Sequence, residues 1–261
     1  MIVSSLQNPT VKRIRSLAMK KYRDESGLFV AEGSKVLDRA SGLGWIPETF
    51  VSTGPASPWG KARLLEVTPE VMVALSSQNN PPPMLGVFRQ RWQEHVEPAG
   101  LWLALENMRD PGNLGAIIRT ADAAGASGVI LAGQSCDPWS RECVRATMGS
   151  IFAMPLVRIS VSSLVGLCES WSGEIVGTHL QGTEDYRRPY GGPTLIVMGS
   201  EGEGLSETLV KVCSTLVRIP MQAGPDSLNV AVAAGLMLFE ARRNALKFDV
   251  IPAKAGTHSS A

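Results

Sequence analysis

Five nearly continuous apolar runs, LWLALE, GVILAG, EIVGTHL, TLIVMG and TLVRIP, recur from Leu101 onward, separated by longer stretches of helical pattern. A strand with one wet face alternates apolar and polar residues, so strands without that alternation must be covered on both faces. Helices between such strands supply the covers, and the pattern predicts an α/β fold built on a parallel sheet. The 261 residues make one large domain or two modest ones. With 44% hydrophobic and 19% charged residues, the composition excludes a disordered or coiled-coil chain.

The first hundred residues read differently. Asn8-Pro9 looks like a helix cap followed by proline in the first turn, and Val11, Ile14, Leu17 and Ala18 follow at helical spacing. Short strands are expected at 28–32, 47–52, 62–67 and 85–88, with a helix over 33–40. The prolines at 81–83 forbid regular structure there. Residues 89–100 carry charge and turn residues and form the expected linker. The division is therefore residues 1–97 as a small α/β domain, 98–247 as the parallel-sheet domain, and 248–261 as a tail without periodicity, expected to be disordered.

The formal net charge of +1 points to no partner. Its distribution does. Residues 1–23 hold six cations (Lys12, Arg13, Arg15, Lys20, Lys21, Arg23) and no acid, which leaves −5 on the remainder. A basic amphipathic helix is either a solvated face or a phosphate-contacting element, and phosphate neutralisation dominates nucleic-acid affinity. The four cysteines lack CxxC spacing and fit free thiols in a reducing compartment, with no metal site expected. No apolar run reaches the roughly 18 residues of a membrane span, and no signal-peptide pattern is visible, so the expected location is cytoplasmic.

Three loops at strand ends carry candidate chemistry. The first, residues 106–115, turns at Pro111-Gly112, has Asn113 as a possible cap, and leads into a helix whose charges are Arg119 and Asp122. Taken from this element alone, Arg119 reads more readily as a solvent-side residue. The second, residues 199–206, is glycine-rich but lacks the Walker lysine and the GxGxxG order, and its Glu201 and Glu203 would repel phosphate. A structural turn is the alternative. The third, residues 217–230, runs through a Gly-Pro turn into a helix expected over 228–246, capped by Asp226 or Ser227, with Asn229 in its first turn. In an open parallel sheet such loops share the crevice at the carboxyl ends of the strands.

The stretches N-x-R-D-P-G-N-L-G-A-I-I-R-T-A-D-A-A-G, I-V-M-G-S-E-G-E-G-L-S and I-P-M-x-x-x-x-D-S-L-N-V-A-V-A-A-G resemble the three motifs of the SpoU (TrmH) family of RNA ribose 2′-O-methyltransferases, within the SPOUT superfamily. The likeness covers roughly residues 101–243. Asn8-Pro9, Lys12 and F-V-A-E-G at 29–33 look like that family's substrate-binding domain. The resemblance implies S-adenosylmethionine as cofactor, RNA as partner (rRNA ahead of tRNA), a homodimer, and a C-terminal trefoil knot, which periodicity cannot show and the rarity of knots argues against. It implies Thr178, Gly199, Ile219 and Leu228 around the cofactor, and Arg119, Asn113, Glu201, Ser227 and Asn229 as the catalytic set. It further implies RNA contact by Lys12, Arg13, Arg15 and Arg145, although family members usually carry serine where Thr147 or Met148 stands.

Arginine keeps its proton to pH values above about 12 and is a poor base, so Arg119 suits stabilisation of charge developing on O2′. Direct proton acceptance is the second option. The alternative to an enzyme is an RNA-binding module that has lost activity, against which the joint presence of Arg119, Glu201 and Asn229 argues. A nucleotide hydrolase is disfavoured by the missing Walker lysine.

Overall fold

The computed structural model describes residues 2–57, 59–200, 202–222 and 227–246. The expected tail lies outside them. Asn8 caps α1 (Pro9–Ser16) by accepting the Thr10 amide N–H at 2.9 Å. The helical spacing read through Ala18 breaks at Leu17 and the chain restarts in α2 (Lys20–Ser26), so the basic segment is two short helices, not one. Gly27, in the left-handed region, ends α2.

Next come β1 (Leu28–Glu32), α3 (Ser34–Gly42), β2 (Thr49–Ser52), β3 (Arg63–Glu66), α4 (Pro69–Leu75) and β4 (Met84–Arg89). All four expected strands form, within a few residues of the anticipated bounds, while α4 was not anticipated. They make one mixed sheet in the order β1-β4-β2-β3, in which β4 is antiparallel to both neighbours and β2 is parallel to β3.

Residues 90–100 cross without helix or strand to the second sheet. Its elements are β5 (Leu101–Glu106), α5 (Pro111–Ala123), β6 (Gly128–Ala132), α6 (Arg141–Ala146), β7 (Leu156–Ile159), α7 (Val161–Glu169), β8 (Glu174–Thr178), β9 (Glu184–Asp185), β10 (Thr194–Met198), α8 (Glu207–Val212), β11 (Thr215–Arg218) and α9 (Val230–Ala241). The strand order is β7-β6-β5-β10-β8-β11-β9, and every pairing is parallel. The five apolar runs are β5, β6, β8, β10 and β11. Every residue of β5, β6 and β10 is buried, as covering on both faces requires. The strands that were not anticipated, β7 and β9, are the sheet's edges. Half of β7 and all of β9 are left without deep burial, so neither needs a continuous apolar run.

From β5 the chain builds outward through β6 to β7, whereas β10, β8 and β11 lie on its other side. That reversal between β5 and β10 is the switch point at which open parallel sheets form their ligand crevice. Beside it α5 lies hard against α6: a Cβ on Gly115 would stand 2.5 Å from Ala146 Cβ and 2.6 Å from the Cys143 carbonyl oxygen. Only glycine permits that approach.

The two sheets share a hydrophobic core. Phe29, Trp45 and Phe88 of the first pack with Trp139 and Phe152 of the second. The Phe29 and Trp139 ring centroids are 4.7 Å apart, and the Trp45 indole N–H donates to the Phe152 carbonyl at 2.9 Å. Offset aromatic contacts of this kind add to plain area burial. Three ion pairs cross the same boundary: Arg23–Asp137 at 2.8 Å, Arg141–Glu32 at 3.4 Å, and Arg39–Asp122. Arg23 thus departs from the solvated basic face on which the sequence reading counted it. Its side chain is 5% exposed and also donates to the Leu17 and Ala18 carbonyls, closing the break between α1 and α2.

Candidate functional site

The first loop enters α5 with Asp110 as cap. Asp110 accepts the Asn113 amide N–H at 2.6 Å, and Pro111 occupies the first turn. Asn113 is therefore inside the helix rather than capping it. Its side chain points across to the third loop, where Asn229 Nδ2 donates to Asn113 Oδ1 at 3.0 Å. Asn229 itself caps α9, accepting the Ala231 and Val232 amides. The helix begins at Val230 and ends at Ala241, shorter than the expected 228–246. Asp226, one of the two caps expected there, lies outside the described residues, and Ser227 is exposed two positions ahead of the true cap.

The second loop folds back on itself. The Gly204 amide donates to the Ser200 carbonyl at 3.1 Å, and a Cβ on Gly199 would stand 1.9 Å from the Gly204 carbonyl carbon. Gly199 is thus fixed by backbone crowding. Glu201 lies outside the described residues. Glu203 is paired with Arg109 of the first loop at 3.5 Å, so the first and second loops touch. A buried carboxylate that sequence reasoning passed over, Glu106 at the end of β5, accepts the Ser206 amide at 2.8 Å and anchors the far side of the loop. Its only signal was an acid closing an otherwise apolar run.

Thr178, Gly199 and Ile219 stand at the carboxyl ends of β8, β10 and β11, three consecutive strands of the sheet. Thr178 faces Val217 in register, and Gly177 faces Val197. Thr178 and Ile219 are half-buried and Leu228 is 37% exposed, which leaves apolar surface near the carboxyl ends of these strands. Arg119 is exposed on α5, with no ion pair or hydrogen bond to any described residue.

Lys12, Arg13 and Arg15 are exposed on α1, and Arg13 meets Glu48 at 3.5 Å. Arg145 is exposed on α6. The two helices are tied by Arg141, whose guanidinium donates to the Ile14 carbonyl at 3.4 Å, to the Leu75 carbonyl and to Glu32. Burial holds that guanidinium below the usual arginine range. Thr147 is buried and its hydroxyl donates to the Val144 carbonyl at 2.7 Å, whereas Met148 is exposed with φ 49°.

Burial pushes the Cys136 and Cys213 thiols up to about 12 and Cys168 to about 11, so these cysteines offer no thiolate nucleophile near neutral pH. Among the described residues no group of three or more His, Cys, Asp or Glu could hold a metal ion, and no helix is long and apolar enough to cross a membrane.

These features define a parallel α/β protein whose switch-point crevice carries amide, hydroxyl and apolar groups, docked to a mixed sheet bearing the basic helices. Residues 100–239 match the SpoU rRNA Methylase family and residues 8–86 match the MRM3-like substrate binding domain. The chain belongs to the SpoU rRNA methylase family. An AdoMet-bound rRNA methyltransferase from Sinorhizobium meliloti superposes with a TM-score of 0.88 at 42% identity, over 95% of this chain and 99% of that one. An uncharacterized tRNA/rRNA methyltransferase of Synechocystis is 34% identical, over 92% of this chain and 93% of its own length. The 23S rRNA (guanosine(2553)-2′-O)-methyltransferase of Bacillus subtilis is 28% identical, over 92% and 98%.

Proposed function

We propose that this chain is an S-adenosylmethionine-dependent methyltransferase that modifies a ribose 2′-hydroxyl in ribosomal RNA. The observation that carries the reading is the convergence of three motifs on one crevice, with Asn113 and Asn229 joined at 3.0 Å across 116 positions. The Bacillus relative, named for 23S rRNA 2′-O-methylation, and the AdoMet-bound Sinorhizobium neighbour support it.

The chemistry of the crevice fits the cofactor. S-adenosylmethionine is a nucleoside with a sulfonium and no phosphate, and the glycine loop here has no lysine and carries Glu203 already paired with Arg109. Thr178, the Gly199 backbone, Ile219 and Leu228 would hold the adenosine. When bound, the cofactor supplies an electrophilic methyl group. Arg119 stabilises the negative charge that develops on O2′. Asn113 and Asn229 fix the spacing of α5 and α9 around the reacting atoms, and Glu201 and Ser227 complete the polar set. Lys12, Arg13, Arg15 and Arg145 grip RNA phosphates. No metal is used.

The working division is a substrate-binding domain over 1–97 and a catalytic domain over 98–247, in keeping with the two matched regions. The catalytic domain carries a C-terminal trefoil knot, a reading supported by membership of the SpoU family and by the likeness to the Sinorhizobium structure. The enzyme works in the cytoplasm as a homodimer. Supporting the dimer, α9 exposes Val232, Leu236 and Phe239 at helical spacing, an apolar stripe next to the crevice.

Two experiments test this reading. Incubation with methyl-labelled S-adenosylmethionine and separate rRNA and tRNA pools is expected to label rRNA at a ribose. RNA binding without label transfer would make the chain an inactive binding platform. In analytical ultracentrifugation the wild type is expected at dimer mass and Phe239→Asp at monomer mass; a wild-type monomer would sink the dimer.

A further inference from the structure

Arg119 and Asp122 are the two charged residues of α5. Three positions apart, they are neighbours on the helix surface, where an arginine and an aspartate attract each other. Yet they do not pair. The Asp122 carboxylate is taken by Arg39, which reaches over from α3 of the other sheet unit. Arg119 is left exposed and unpaired among the described residues.

The path of Arg39 is built into the fold. Its aliphatic stem lies over Gly149, between α6 and the 3₁₀ turn at 150–152: a Cβ on Gly149 would stand 3.0 Å from Arg39 Cδ and 3.2 Å from Arg39 Cβ. Gly149 also has φ 94°, so a side chain there would be strained as well as obstructive. The Asp122 side chain is 18% exposed, and a carboxylate that sheltered needs a partner. From these contacts we infer that Arg39 is a positioning residue for catalysis: by occupying Asp122 it keeps that carboxylate from neutralising Arg119. The inference rests on the catalytic reading of Arg119. It makes the docking of the substrate-binding unit a condition for an active charge in the other unit.

The test is a mutant cycle on the full chain, with kcat and KM measured on 23S rRNA transcript and labelled S-adenosylmethionine. Arg39→Ala is expected to lower kcat roughly tenfold, as Asp122 turns to Arg119, with cofactor affinity unchanged. Asp122→Asn added to Arg39→Ala is expected to restore kcat to within about twofold of wild type, an outcome that loss of domain contact alone cannot give. Arg39→Lys, which keeps a cation at Asp122, is expected to hold kcat within about threefold and serves if the alanine variant does not fold. A double variant no faster than Arg39→Ala overturns the inference. So does wild-type kcat in Arg39→Ala while Arg119→Ala is inactive, which leaves the catalytic assignment standing. Wild-type kcat in Arg119→Ala overturns that assignment and the inference with it.

Discussion

Replacing Arg119 by alanine is expected to lower kcat by about 10²–10³-fold, the loss typical of removing one pre-placed group that meets charge formed in the transition state. Methyl transfer to O2′ is an in-line displacement that leaves little for the protein beyond alignment and charge stabilisation. Arg119 is an exposed cation whose helix neighbour Asp122 is engaged by Arg39, so in the proposed mechanism its charge would be free to meet the oxygen. The residues proposed to hold the cofactor stand at the ends of β8, β10 and β11, on other elements than α5, so cofactor affinity by calorimetry should change by less than about threefold while kcat falls. A matched rise in the cofactor's dissociation constant would instead make Arg119 a binding residue. Arg119→Lys should recover only part of the rate, because an ammonium does not reproduce a planar fork.

The second large effect concerns stability. Asp137→Ala is expected to cost about 3–5 kcal/mol, since it leaves the Arg23 guanidinium charged and buried without a counter-ion. Both side chains are almost wholly enclosed, at 5% and 6% exposure. Asp137 also accepts the Trp139 amide at 2.9 Å, so the aromatic cluster between the sheets loosens with it. For a chain of this size the melting temperature should fall by roughly 10 °C. Arg23→Met should be costly too, because the Leu17 and Ala18 carbonyls lose their donor. The Arg23→Met/Asp137→Ala double variant should lose clearly less than the sum of the singles, as expected when each single already breaks the same pair. Strict additivity in urea denaturation would show that the two residues act independently.

What the sequence made legible follows the range of each physical signal. Burial on both faces writes itself into consecutive residues, so β5, β6, β8 and β10 could be read directly, while β11 showed as an apolar run although only its Val217 is buried. The edge strands β7 and β9 are only partly covered and left no run to find. Helix starts were narrowed to a residue type but not to a position: Asp110 and Asn113 are both capable caps, as are Asp226, Ser227 and Asn229, and tertiary packing chose Asp110 and Asn229. Contacts between distant segments had no local trace at all. Nothing near Arg23 announces Asp137, and nothing near Asn113 announces Asn229. The family motifs bridged the second gap because they place those asparagines in one set, and they were silent on Arg23, Arg39 and Arg141, which fasten one sheet to the other.

The place of β10 has a consequence for synthesis. It is the strand that β5 needs on its open side, yet 87 residues separate the end of β5 from its start. At ordinary translation speeds of about 5–20 residues per second, the edge of β5 waits on the order of ten seconds for its neighbour. Through that interval LWLALE offers a row of unpaired amides and carbonyls on an apolar ribbon, the feature that seeds association between nascent chains. The mixed sheet made first can shield this half-built structure, because its Phe29, Trp45 and Phe88 face is ready to receive Trp139 and Phe152 before β10 is translated. In the ribosome's order of events, the mixed-sheet unit is also the parallel-sheet unit's own nursery.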